Sequence, residues 1–245
     1  GQQLGQEQLY LNDNQFITIQ GDKIKPQKYS NGVIAIIGAG TGLGIAKGLF
    51  SDNKLFSLPS EGGHAEFSPR SEKEWLMAQW LKAELKIQRL SIEKIVSGTG
   101  LGHIARWRLS QPDAINHPLC QSAENWELNN SKRVDLPSLA SESAKNGDEM
   151  MTEVLKIWLS AFGSVAGDIA LQELCTQGLW LSGGAAAKHL EGIRSITFLE
   201  ALKHKGRFKD FLEKLPVMAL KDQDIGLFSA GQRAYLLAES NGKLI

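Results

Sequence analysis

Apolar positions along this chain follow first one period and then another. Val33-Ile34-Ala35-Ile36-Ile37 is a short run rich in β-branched residues. It follows the turn signal Asn31-Gly32 and reads as a buried strand. Ile45 to Phe50 and Lys54 to Leu58 continue as two further strands of a meander, with Asp52-Asn53 as their turn. A weaker alternation, Phe16-Ile17-Thr18-Ile19, marks a short strand within an otherwise polar and irregular first 31 residues.

The period then changes. Ser71 with Glu74 three residues on is a capping box, and Trp75, Leu76, Trp80, Leu81 and Leu85 recur behind it at helical spacing. Glu93 to Val96 reads as a strand entering Ser97-Gly98-Thr99-Gly100-Leu101-Gly102, with a second helix begun by Ile104 to Leu109. Residues 110–146 are rich in Ser, Asn, Asp and Pro and predict a long excursion holding one short helix. From Asp148 to Cys175 one stripe runs through Met151, Val154, Leu155, Trp158, Leu159, Phe162, Val165, Ala166 and Ile169. Its next position is Glu173, so the stripe does not define the end of that helix. Gly163 and Gly167 lie beside it and predict close packing against a neighbour. Leu179-Trp180-Leu181 is a further buried strand leading to Ser182-Gly183-Gly184. Short helices follow at Ala186 to Leu190 and Ile196 to Leu202, then a strand at Pro216 to Leu220 and a closing helix at Ile225 to Ala238.

Composition narrows the function. The chain has 245 residues, 42% hydrophobic and 22% charged, within the range of a globular protein. Lys+Arg and Asp+Glu both number 27, so no global positive field points to nucleic acid or an anionic membrane. No apolar run approaches the roughly 18 residues of a membrane span. The N-terminus lacks the charged-then-apolar layout of a signal peptide. Cys120 and Cys175 form no CxxC pair and no zinc spacing, and read as two free thiols of a reducing cytoplasm in preference to a disulfide.

Candidate chemistry gathers in glycine-rich turns. Glycine loops follow apolar runs at 38–44, 98–102 and 182–184, and the pentapeptide Gly-Thr-Gly-Leu-Gly occurs twice, at 40–44 and 98–102. Such loops bring backbone N–H groups to a phosphate or other polar ligand, and each taken singly is equally a hairpin turn. The first is not a dinucleotide fingerprint, because Leu43 and Ile45 stand where glycine is required, and no Gly-Lys-Ser/Thr of a Walker A loop follows. Three loops together, with the Thr41 hydroxyl in the first, point to phosphate. Glu61-Gly62-Gly63-His64 sets a carboxylate and an imidazole around a turn, a combination that can accept from and donate to sugar hydroxyls; by itself it is also an ordinary tight surface turn. Glu93 alone reads as an exposed carboxylate. Asp13 is part of a turn, His103 serves packing or solvation, and His117, His189 and His204 show no ligand spacing. Lys205-Gly206-Arg207-Phe208-Lys209 is a basic cluster that suits a solvated face or the neighbourhood of a nucleotide.

Taken together, these stretches resemble the bacterial glucokinases of the hexokinase and actin-like ATPase superfamily. The residues that carry the resemblance are Gly38-Ala39-Gly40-Thr41-Gly42-Leu43-Gly44, Leu58-Pro59-Ser60-Glu61-Gly62-Gly63-His64 with Phe67 and Pro69, Ala83-Glu84, Glu93 to Gly98, Ser182-Gly183-Gly184, Lys205 to Phe208 and Leu215-Pro216-Val217. Their order and spacing match from about residue 10 onward. The related ROK sugar kinases carry a cysteine-rich zinc motif that is absent from this sequence. The resemblance implies an α/β fold, an actin-like ATPase (ribonuclease H-like) domain with a mixed sheet flanked by helices. It implies that Glu61, His64 and Glu93 bind glucose hydroxyls, that Gly40-Thr41-Gly42 is a phosphate loop, and that Gly183 and Gly184 lie in the adenosine segment. ATP with Mg²⁺, a cytoplasmic location and a homodimer are expected with it; a metal site made by the protein, a nucleic-acid partner and a membrane partner are not.

One departure bears on catalysis. The family's Asp-x-Gly-Gly-Thr phosphate loop and its Asn-Asp pair, whose Asp is the general base for the sugar 6-hydroxyl, do not occur in this sequence. Asn12-Asp13 lies directly before the strand at Phe16, where the family's pair precedes a helix. The general-base Asp is therefore expected upstream of Gly1. Residues 1–245 are expected to form the C-terminal large domain alone, inactive without the N-terminal lobe. The other reading is a non-catalytic sugar-binding module or regulator.

Overall fold

The computed structural model describes residues 16–21, 31–51, 54–128 and 134–221. Six strands form one mixed sheet: β1 (Phe16–Gln20), β2 (Gly32–Ala39), β3 (Leu43–Ser51), β4 (Lys54–Ser60), β5 (Leu179–Ser182) and β6 (Val217–Leu220). Their spatial order is β1-β6-β5-β2-β3-β4. The meander β2-β3-β4 is antiparallel, β5 runs parallel to β2 and to β6, and β1 closes the far edge antiparallel to β6. The helices are α1 (Glu72–Glu84), α2 (Gly98–Leu109), α3 (Cys120–Leu128), α4 (Leu136–Lys145), α5 (Glu149–Glu173), α6 (Gly184–Lys188), α7 (Leu190–Ile193), α8 (Ile196–Lys203) and α9 (Lys209–Lys214). This is the mixed sheet flanked by helices that the sequence leads one to expect.

The sheet's core face carries Ala35, Ile37 and Ala39 of β2, Leu179 and Leu181 of β5, and Val217 and Ala219 of β6, all buried. Register puts these residues on one face, because partners across a ladder share a face. The run Val33 to Ile37 is thus buried on one side only: Ile36 points to the other face and is 36% exposed.

Helix α5 is the spine of the core. Asp148 caps it, accepting from the Met151 N–H at 3.0 Å. Trp158 and Phe162 are fully buried with ring centroids 5.4 Å apart. Gly163 and Gly167 do serve close packing. A Cβ on either would stand 2.2 Å from the Phe198 carbonyl oxygen or 2.3 Å from that of Leu202, so α8 lies directly on these two glycines. The helix ends at Glu173, which meets Lys47 of β3 at 2.7 Å, and Leu174 turns left-handed at φ 43°. By length and hydropathy α5 would also pass for a membrane span, but 67% of its most apolar window is buried inside the domain.

Several local expectations are corrected. In α1 the buried positions are Glu74, Met77, Ala78 and Leu81, while Trp75 and Leu76 are about half exposed. Glu74 lies on the buried side and pairs with Arg70. Ser71 accepts from Glu74 N–H as a cap should, but the Glu74 carboxylate returns to the Arg70 N–H instead of completing the box. Glu93 to Val96 is not a strand: Ile92–Lys94 is a 3-10 turn, and Gly98–Gly102 is the opening of α2 rather than a loop. The stretch 110–146 holds two α-helices and a 3-10 turn, with Leu136 and Ala140 fully buried. Gly1, before which the general-base Asp is expected, lies outside the described residues, as do Asp13, the Asp52-Asn53 turn and the helix at Ile225 to Ala238.

Two outcomes follow from this packing. Gly163→Ala should lower the free energy of unfolding by about 1–3 kcal/mol in a urea titration, because backbone must shift to admit the methyl group. The second concerns His189, whose ring centroid lies 5.2 Å from that of Trp158. Burial, with Lys145 and Lys188 adding to it, pushes this imidazole down to about 4 from its ordinary 6.5. The folded state therefore keeps it neutral while the unfolded chain protonates near 6.5. Its contribution to stability is complete above that pH and is lost as pH falls toward about 4. Urea midpoints should decline across that window in the parent and decline less in His189→Leu.

Candidate active site

All three glycine segments converge on the tip of the β2–β3 hairpin. The hairpin turns at Gly40-Thr41-Gly42, with the Gly40 N–H donating to the Gly42 carbonyl at 2.9 Å. On one side stands the start of α2. The Gly98 N–H donates to the Gly40 carbonyl at 2.7 Å, and the Thr99 hydroxyl donates to the Thr41 carbonyl at 2.9 Å. Beneath lies the β5–α6 turn. Gly183 has φ 95°, and a Cβ there would sit 2.4 Å from the Ala39 backbone, so only glycine fits.

These contacts orient the hairpin's amides. In a trans peptide the C=O of one residue and the N–H of the next point in opposite directions. Because the Gly40 and Thr41 carbonyls face α2, the Thr41 and Gly42 N–H groups face away from it. Neither finds an acceptor among the described residues, and Thr41 is exposed. Two neighbouring donors without an acceptor among the described residues can cradle an anion.

The turn carrying Glu61 and His64 abuts the same hairpin. Gly62–His64 forms a 3-10 turn, and a Cβ on Gly63 would lie 2.3 Å from the Leu43 carbonyl oxygen, which accounts for glycine there. The Glu61 carboxylate and His64 Nε2 are 3.8 Å apart, with both side chains largely open to solvent. Arg89 steadies the turn by donating to the His64 carbonyl at 2.6 Å. The adjoining backbone pairs with the segment before Glu93: Ile92 N–H donates to the Ala65 carbonyl and Phe67 N–H to the Leu90 carbonyl, both at 2.8 Å.

Glu93 joins the two halves. Its Oε2 accepts from the Leu43 N–H at 3.0 Å, at the base of the hairpin and beside Gly42. It is half-buried there, not the exposed carboxylate that its sequence context suggests. Its backbone is held by Ser97, whose hydroxyl donates to the Glu93 carbonyl at 2.7 Å and accepts from the Gly100 N–H at 2.9 Å as the cap of α2. Sequence reasoning does not single out Ser97, Thr99 or Leu43 as residues of the site. Only the repetition of the Gly-Thr-Gly-Leu-Gly pentapeptide hints at Thr99.

Other candidates are structural. His103 is buried, stacks edge-on to Trp126 at 5.6 Å and bonds through Nδ1 to the Lys94 carbonyl at 2.9 Å. Lys205, in the basic cluster, pairs with Asp168 at 2.6 Å and with the Ser164 hydroxyl at 3.0 Å on α5. Both cysteines are free, and burial raises the Cys175 thiol to about 12. Among the described residues no three His, Cys, Asp or Glu side chains gather into a metal-binding group. A cavity of about 250 Å³ lies elsewhere, between Met77, Trp107 and Ile157.

The mixed sheet flanked by helices is the actin-like ATPase fold, the fold of the solved glucokinase from an Antarctic psychrotroph that the chain resembles. The Glucokinase family profile matches residues 4–237, and the chain belongs to that family. It is 36% identical over 225 residues to a glucokinase of a Nostoc species, spanning 90% of this chain and 65% of that protein. It is 37% identical over 202 residues to the glucokinase of Trichormus variabilis, spanning 80% and 59%. In structure it resembles a glucokinase from an Antarctic psychrotroph at TM-score 0.71 and 26% identity, across 91% of this chain and 63% of that one. The glucokinase of Balamuthia mandrillaris, solved in complex with glucose, shares the fold at TM-score 0.66 and 18% identity, across 89% and 57%. The chain thus spans about three fifths of the length of the curated relatives it matches.

Ser97 makes a sharp test of how the site is built. Ser97→Ala should cost about 1–2 kcal/mol in a denaturant titration through loss of the cap. The Ile92–Lys94 turn should also lose protection in hydrogen exchange, since its bond to the hydroxyl is gone.

Proposed function

We propose that this chain forms the sugar-binding and phosphate-binding faces of a glucokinase, which transfers the γ-phosphoryl group of ATP to glucose. The single observation behind this reading is the Glu93–Leu43 bond, which joins a carboxylate of the hydroxyl-binding turn region to the base of an anion-accepting hairpin. A kinase needs that adjacency, because the acceptor hydroxyl must lie next to the transferred phosphoryl.

In this reading Glu61, His64 and Glu93 hold the sugar by its hydroxyls, and the Thr41 and Gly42 N–H groups take phosphate oxygens. Gly183 and Gly184 border the nucleotide. Mg²⁺ belongs to the substrate in this reading, arriving on the nucleotide's phosphates. Once a bound sugar covers these hydroxyl partners they also select it, since an analogue lacking a hydroxyl would leave a carboxylate unpaired. We assign the general base to an Asp upstream of Gly1, so that these 245 residues act as the large domain of a two-lobed enzyme. A cytoplasmic location and a homodimer belong to the same proposal.

The test is a coupled assay of the complete protein containing these residues. ATP-dependent phosphorylation of glucose is expected, with His64→Ala and Glu61→Gln each raising KM for glucose about tenfold or more, the worth of a hydrogen bond to a charged group. Glucose binding without phosphoryl transfer by the complete protein would sink the kinase reading in favour of a non-catalytic sugar-binding module. Turnover by residues 1–245 alone would refute the assignment of the general base.

A further inference from the structure

The second Gly-Thr-Gly-Leu-Gly pentapeptide has no task in the proposed reaction. It opens a helix and not a loop, and none of its residues is among those given a ligand above. What it meets is the first copy. Gly98 faces Gly40 and Thr99 faces Thr41, so the first two residues of one pentapeptide grip the matching two residues of the other.

The grip has two parts of unequal kind. At Gly98 it is backbone to backbone, at 2.7 Å. At Thr99 the N–H reaches the Thr41 carbonyl only at 3.4 Å, beyond a good hydrogen bond. The hydroxyl makes the closer contact, at 2.9 Å. The orientation of the Thr41–Gly42 peptide therefore depends chiefly on one side chain, with the longer N–H contact as a weaker second hold. That peptide carries the Gly42 N–H on its far side. Glycine flanks Thr41 on both sides, so the hairpin itself offers little resistance to a flip of this plane.

We infer that Thr99 is a positioning residue for the phosphate hairpin: by holding the Thr41 carbonyl it aims the Gly42 N–H at the nucleotide's phosphate. This deepens the kinase reading and rests on it. The Thr99 hydroxyl is spent on the Thr41 carbonyl and not on a sugar-binding carboxylate, so its effect belongs to the nucleotide and not to glucose. Gly98 supports the same geometry by its small size. A Cβ there would lie 3.1 Å from the Gly40 carbonyl oxygen.

The experiment compares Thr99→Val, Thr99→Ser and the parent in the complete protein. Valine keeps the shape and removes the hydroxyl; serine keeps the hydroxyl. Binding of a non-hydrolysable ATP analogue and of glucose is measured by calorimetry, beside steady-state KM values and thermal midpoints. In Thr99→Val, nucleotide affinity should fall and KM for ATP rise about fivefold, the worth of one ordinary hydrogen bond. Glucose affinity and the thermal midpoint should stay at parental values, and Thr99→Ser should restore nucleotide binding. Parental nucleotide affinity in Thr99→Val, in a parent that phosphorylates glucose, overturns the inference and leaves the kinase reading standing. Parallel loss of nucleotide affinity, glucose affinity and thermal stability also overturns it, by showing a merely structural role. A parent that binds no nucleotide removes both.

Discussion

One buried hydroxyl holds the working parts of this domain in register. Ser97 is fully buried. Its side chain caps α2 and fastens the backbone of Glu93, while its carbonyl accepts the Trp158 indole N–H at 3.0 Å. The segment carrying the Glu93 carboxylate, the helix that grips the hairpin and the spine of the core thus share one residue. A buried polar group must be satisfied or it costs stability. Here its satisfaction is also what sets the geometry of the site.

The second constraint is closeness. Sheet, turns and helices approach one another at distances that a methyl group would forbid, at Gly63 against Leu43 and Gly183 against Ala39 near the site, and at Gly163 against α8 in the core. Backbone-to-backbone approach leaves little freedom in the relative placement of these elements. The Glu93–Leu43 bond and the α2–hairpin bonds therefore act between parts that hold each other still, which is the condition for a preorganised electrostatic site.

How legible is this in the chain? The strands β2, β3 and β5 are readable because short apolar runs meet turn residues at both ends, and α5 because its stripe persists from Met151 to Ile169. The register of α1 is not, since Glu74, paired with Arg70, takes a buried position while Trp75 and Leu76 lie outward. Helix α2 is hidden for a different reason. Three glycines in five residues argue against a helix on propensity alone. Packing reverses that, because Gly100 and Gly102 admit the Ile95 backbone and the Trp126 ring to distances that no side chain would allow. The two helices within 110–146 are likewise hidden, since in Ser-rich, weakly periodic sequence only Ala123 of the first and Leu136 and Ala140 of the second are buried among the described residues.

By itself, then, the sequence determined the fold class, the family resemblance and the three glycine segments that meet at the hairpin. Each of these depends on local pattern or on residue type. Tertiary structure alone decided that Glu93 reaches Leu43, that Ser97 ties Glu93 to the core, and that the two pentapeptides, separated by more than fifty residues, face each other. Those relations rest on hydrogen bonds between distant segments, whose directions are set only once the core has closed around Trp158 and Phe162.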